Sequence, residues 1–122
     1  MTNQNQKASI VVTTDAGAFV VEFVIERLLD EVDIASIGER LDALLAQTDG
    51  PPLLVLDFAR VRHMSSSALG MLITLHKKIR DRGGRLALCD VHPEIYEVFL
   101  ITKLSEVFHI YENRATAMTG LA

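Results

Sequence analysis

The sequence predicts an α/β domain: a mainly parallel, five-stranded mixed sheet with about four helices, in the order ββαβαβαβα. Three observations carry this prediction. Two runs rich in β-branched and aromatic residues, Ser9 to Thr14 and Ala18 to Ile25, are separated only by Asp15-Ala16-Gly17, and a short glycine-containing connection between such runs reads as a hairpin. From about Asp33 onward, segments of helical period alternate with short apolar runs, the pattern of parallel strands joined by right-handed crossovers. The chain has 122 residues, the size of one domain with a core of its own. The opening strand is expected to be the antiparallel one.

Each element has its own signal. Ile34, Ile37, Leu41, Leu44 and Leu45 fall on one helical face, with Asp33 available as N-cap and Gly50-Pro51-Pro52 as the stop. Leu53 to Phe58 reads as a third strand, and its unbroken apolarity implies burial on both faces. In the second helix Leu69, Leu72, Ile73, His76 and Ile79 share a face until Gly83-Gly84 ends it. Arg85 to Cys89 is a fourth strand. His92-Pro93-Glu94 opens a third helix, with proline in the first turn and an acid near the positive end of the helix dipole; Ile95, Val98 and Phe99 supply its apolar stripe. Val107 to Tyr111 is a fifth strand, and Asn113 begins a last helix carrying Ala117, Met118 and Leu121. Residues 1–8 are polar and are expected to form a flexible amino terminus, leaving 9–122 as the domain.

Composition excludes several function classes. Apolar residues make up 49% and aromatics 6%, the profile of an aliphatic-cored globular protein. A net charge of −4 argues against nucleic acid, whose phosphates require a clustered basic surface. Lys77, Lys78, Arg80, Arg82 and Arg85 do cluster locally, as a solvated helix face and its exit would. Cys89 is the single cysteine, so it reads as a small buried hydrophobe in a reducing compartment, the cytoplasm. The amino terminus lacks the apolar core of a signal peptide, and no apolar run approaches the roughly 18 residues of a membrane helix.

Leu53 to Gly84 carries most of the functional information. A buried strand ends in Asp57 and Phe58, a short loop follows, and Ser65, Ser66 and Ser67 precede a helix. Small hydroxyls at a helix amino end lie beside unpaired backbone N–H groups in a field that favours negative charge, a sensible place to add or read a phosphate. One N-cap needs one such residue, yet there are three, and Ala68, Leu69 and Gly70 cannot complete a capping box. Other chemistries lack their signatures. His63, His76, His92 and His109 are scattered without metal-ligand spacing, so no metal is expected. Met64 and Ala68 flank Ser66 where a nucleophile elbow requires glycines. Neither glycine-rich nucleotide motif is present. No enzymatic site and no cofactor are expected.

The same residues resemble the phosphoacceptor region of the STAS domain, shared by sulfate transporters and anti-sigma factor antagonists. In the bacterial antagonists a strand ends in aspartate and a loop leads to Asp-Ser-Ser-Gly-Leu-Gly, followed by a helix, Gly-Gly, a strand and a segment like LFxLTGLxxxF. Here Asp57 matches the strand-end aspartate and Ser65-Ser66-Ser67-Ala68-Leu69-Gly70 the motif. Gly83-Gly84-Arg85-Leu86 matches the next turn, and Val98 to Leu104 with Val107-Phe108 the later segment. Two positions depart: Ser65 stands for the motif's aspartate, and Ala68 for its first glycine, which adds a methyl on the surface expected to meet a partner's backbone.

The resemblance implies a STAS-like fold from about Ser9 to Met118 and a cytoplasmic, non-enzymatic module. It implies Ser67 as phosphoacceptor, or alternatively Ser66, and a binding surface drawn from Asp57, Met64, Ser65, Ser66, Ser67, Ala68 and Met71. The implied partners are an anti-sigma factor that is a serine protein kinase, and a serine phosphatase that resets the switch. The alternative is a non-phosphorylated STAS module scaffolding a sensory or signalling complex, which the two departures favour somewhat.

Overall fold

Strands β1 (Ile10–Asp15) and β2 (Ala18–Phe23) form the opening hairpin in the computed structural model, which describes residues 9–121. Segment 1–8, expected to be flexible, lies outside the described residues. Asp15 pairs with Ala18 across a two-residue turn whose Ala16 and Gly17 have φ of 49° and 85°. Positive φ at both positions is what a type I′ turn requires, and its twist matches that of the strands it joins.

Helix α1 (Glu31–Gln47) starts earlier than the sequence suggests. Its N-cap is Asp30, not Asp33: Asp30 Oδ1 accepts from the N–H groups of Val32 (2.8 Å) and Asp33 (3.1 Å). Asp33 sits inside the first turn, where its charge still favours the helix dipole. Strand β4 (Leu53–Asp57) then runs parallel to β2, as β6 (Arg85–Cys89) does to β4 and β7 (His109–Tyr111) to β6. The sheet order is β1-β2-β4-β6-β7, with only the first pair antiparallel. This is the expected mixed sheet.

A second sheet was not foreseen. β3 (Arg27–Leu28) pairs in parallel with β5 (His63–Met64), and two-residue strands carry no periodicity from which to read them. β2 also ends at Phe23 rather than Ile25, and β7 holds only the last three residues of its expected run. A single 3₁₀ turn at Leu104–Glu106 precedes β7 and turns Phe108 into the core against Phe99, with ring centroids 5.6 Å apart.

The sheet separates two apolar layers. Leu54, Leu56, Leu86 and Leu88 face α1, α2 (Ser66–Asp81) and α3 (Pro93–Ile101), whereas Val55, Ala87 and Cys89 face α4 (Arg114–Leu121) through Ala117 and Leu121. β4 is buried on both faces, as its apolar run implied. On α2 the buried stripe is Ala68, Leu72, Leu75 and Ile79; Leu69, Ile73 and His76 flank it instead of centring it. Apolar residues surround much of this helix, so period alone did not fix which face is innermost.

Two of the clustered cations are structural. Arg82 donates to the carbonyls of Leu45, Thr48 and Gly50, satisfying the open end of α1. Lys78 pairs with Asp42 of α1 at 2.9 Å. The turn into β6 is equally constrained, because a Cβ on Gly84 would lie 2.1 Å from Pro52 O. No described helix is long and apolar enough to cross a membrane.

Candidate functional site

The loop that delivers the serines is tied down along its length. The N–H groups of Arg62 and His63 both donate to Glu26 O, at 2.8 and 3.2 Å, and Ser65 N–H donates to Leu28 O at 3.1 Å. The β3–β5 ribbon therefore fixes the approach to α2 from the segment just before α1. At the start of that loop Asp57 Oδ1 accepts from Ala59 N–H (2.9 Å), and the N–H of His92 Nε2 meets Ala59 O at 2.6 Å. A carbonyl only accepts, so this contact places the ring proton on Nε2.

Ser65 is the N-cap of α2. Its Oγ accepts from Ala68 N–H at 3.2 Å, and its carbonyl accepts from Leu69 N–H. Serine and aspartate cap helices about equally well, so Ser65 supplies the cap that an aspartate at this position could also supply. Ser66 and Ser67 occupy the first two helical positions and are exposed. Their hydroxyls take no part in any hydrogen bond among the described residues, and their backbone N–H groups lie at the positive end of a 16-residue helix.

Ser67 also lines a groove of about 260 Å³ between α1 and α2. Ile34, Ala35 and Gly38 form one wall, and Gly70, Met71 and Thr74 the other. The Gly38 position approaches Met71 closely, with a built Cβ 3.7 Å from Met71 Cγ. The sequence points to Met71 here, and to Gly70 as the end of the motif, but not to Gly38 or Thr74. The available signal was glycine inside two helices, where it costs about 1 kcal/mol relative to alanine.

Two expected surface residues lie elsewhere. Ala68 is fully buried in the core beneath α2, because it begins the stripe that ends at Ile79. Its added methyl points inward, away from any approaching backbone. Asp57 is 6% exposed, and its Oδ2 accepts from Arg114 at 2.8 Å. It holds the far side of the sheet together and makes no hydrogen bond to the serines. The exposed set narrows to Ser66 and Ser67, with Met64, Ser65 and Met71 half-buried around them.

Cys89 and Asp90 adjoin Asp57, and the ligand atoms of the three lie within 4.8 Å of one another. Arg114 supplies the positive charge at this spot. Burial, with the charge of Asp57 next, pushes the Cys89 thiol up and keeps it protonated, and the hydrogen bond to Asp57 raises Arg114 further. This cluster is a structural clamp.

The STAS domain family model matches residues 9–117, nearly the whole described chain. The chain belongs to the STAS domain family. Relatives of this STAS domain include the anti-sigma F factor antagonist of Paenibacillus polymyxa, 34% identical over 68 residues, 56% of this chain and 58% of that protein. The anti-sigma-B factor antagonist of Listeria monocytogenes is 30% identical over 105 residues, covering 78% of this chain and 90% of that protein. Among solved structures, an anti-sigma-factor antagonist (STAS) domain protein from Planctomyces limnophilus superposes with a TM-score of 0.84 at 30% identity, covering 93% of this chain and 98% of that one.

Proposed function

We propose that this STAS domain acts as an anti-sigma factor antagonist, with the first turn of α2 and the α1–α2 groove as its docking surface and Ser67 as its phosphorylation switch. In the unmodified state it binds an anti-sigma factor that is also a serine kinase, and a serine phosphatase reverses the modification. The observation that carries this reading is the division of labour among the serines. Ser65 alone caps α2, so the helix has no need of the Ser66 and Ser67 hydroxyls, and Ser67 stands at the mouth of the groove.

The charge arithmetic favours a switch that acts on binding. A phosphate brings about −1.5 to −2 charges. At a helix amino end this is neutral to favourable, by up to about 1 kcal/mol, so the domain keeps its fold. Burying that charge uncompensated at an interface costs several kcal/mol, and each 1.4 kcal/mol is a factor of ten in affinity. The relatives named as anti-sigma factor antagonists support the partner class.

Phosphopeptide mapping of the protein recovered from its native host tests the switch. The expected result is a phosphate on Ser67 that disappears in Ser67→Ala. Absence of phosphate on both Ser66 and Ser67 under conditions that activate and silence the pathway would leave the constitutive scaffold as the better reading, with Ser65 in place of the motif's aspartate as its motivation.

A further inference from the structure

The opposite end of α2 carries a different constellation. β6 begins at Arg85, but β7 first pairs with it at Ala87, so Arg85 and Leu86 have no strand neighbour on that side. The missing two residues of β7 leave a cleft of about 430 Å³ between the end of α2, the start of β6 and α4, within the range of small-ligand sites. His76 and Arg80 enter from α2, Arg85 from β6, and His109 and Tyr111 from β7. Ile79, Leu86 and Leu121 supply apolar floor.

Among the described residues no carboxylate lines this cleft, and neither Arg80 nor Arg85 forms an ion pair. The Tyr111 hydroxyl, packed over Gly120, likewise has no hydrogen-bond partner among them. In a molecule of net charge −4, two unpaired guanidiniums and two imidazoles converge on one concave surface. Such a cleft concentrates anions locally. Burial first, then the charges of Arg80 and His109, hold His76 below its ordinary value.

We propose that this cleft binds a small organic phosphate monoester, with the phosphate between Arg80 and Arg85 and an apolar body on Ile79, Leu86 and Leu121. Guanidinium forks match phosphate oxygens bidentately. A monoester near −2 at neutral pH answers the paired arginines better than a carboxylate of −1. The site lies some 13 residues along α2 from Ser67, about 20 Å at 1.5 Å per residue, and is independent of the reading given to that serine.

Phenyl phosphate is a suitable probe, titrated against the folded protein by NMR beside phenol, benzoate and inorganic phosphate. Saturable shifts confined to His76, Leu86, His109 and Tyr111 are expected, strongest for phenyl phosphate. The exposed double variant Arg80→Gln/Arg85→Gln should keep its fold by circular dichroism and bind at least about tenfold more weakly, the loss of charge-assisted hydrogen bonds. Arg80→Lys keeps the charge but not the bidentate fork, so its affinity should fall between those of the parent and the double variant. Absence of saturable shifts at millimolar probe, equal binding of phenol or inorganic phosphate, or affinity unchanged in the double variant would overturn the proposal.

Discussion

Arg114 and Asp57 form an ion pair across the carboxyl end of the sheet, at 2.8 Å, with Asp57 almost wholly buried and Arg114 partly open to solvent. Asp57 ends the strand that feeds the serine loop, and Arg114 opens α4, so the pair pins the last helix to the central strand. Arg114→Met leaves a buried carboxylate unpaired and should destabilise by about 2 kcal/mol. Asp57→Asn keeps an acceptor for Ala59 N–H and frees Arg114 into water, so it should cost only about 1 kcal/mol. Urea denaturation distinguishes them; the reverse order would contradict this account of the clamp.

The serine triplet should divide cleanly in the same assay. Ser65→Ala removes the cap of α2 and is expected to cost about 1 kcal/mol, whereas Ser65→Asp should be close to neutral. Ser66→Ala and Ser67→Ala should each stay within about 0.5 kcal/mol of the parent. A large cost at Ser67 would mean that its hydroxyl is structural and would remove the main reason for regarding it as free to be modified.

Two glycines make opposite predictions. Gly70 lies in mid-helix with nothing within 4 Å of a built Cβ, so Gly70→Ala should stabilise by about 0.5–1 kcal/mol while placing a methyl in the α1–α2 groove. Stability rising as antagonist activity falls is the signature expected of a docking groove. Gly84→Ala must displace Pro52 O and should cost about 2 kcal/mol or more. Thermal melts and a transcriptional reporter read both effects.

His76 sets a pH dependence. Its ring packs edge-on against Phe108 at 5.4 Å, and burial first, then Arg80 and His109, lowers its pKa from the ordinary 6.5. The unfolded chain therefore binds more protons than the folded one just below pH 6.5. Stability contributed by the neutral ring is present above that pH and declines on acidification. Melting temperatures from pH 7.5 down to 5.5 should fall less steeply in His76→Gln than in the parent; identical slopes would show that the ring is not a determinant.

Much of this was legible in the residues. Hydrophobic periodicity sufficed for the five main strands and four helices, because β4 and the stripe of α1 are long enough to average out local exceptions. The β3–β5 ribbon was not legible, since Arg27-Leu28 and His63-Met64 pair only because the chain folds back there. Ala68 was read as a surface position from its place in a motif. Only the rotation of α2, set by packing of Leu72 and Leu75 on the sheet, shows that it is buried. Asp57 was likewise attached to the serines by order in the chain, whereas its partner, Arg114, lies 57 residues away. The cationic cleft was half visible as a basic run, but His109 and Tyr111 join it only through the late start of β7.

Charge on Ser67 is proposed to control docking without disturbing the fold. The decisive experiment captures the anti-sigma factor with the unmodified protein and measures its affinity, by calorimetry, for that protein and for one phosphorylated at Ser67. The phosphorylated form should bind at least about a hundredfold more weakly, which corresponds to about 2.8 kcal/mol, with the melting temperature unchanged or slightly raised. Equal affinities, or a loss of affinity that merely follows a loss of folding, would contradict it.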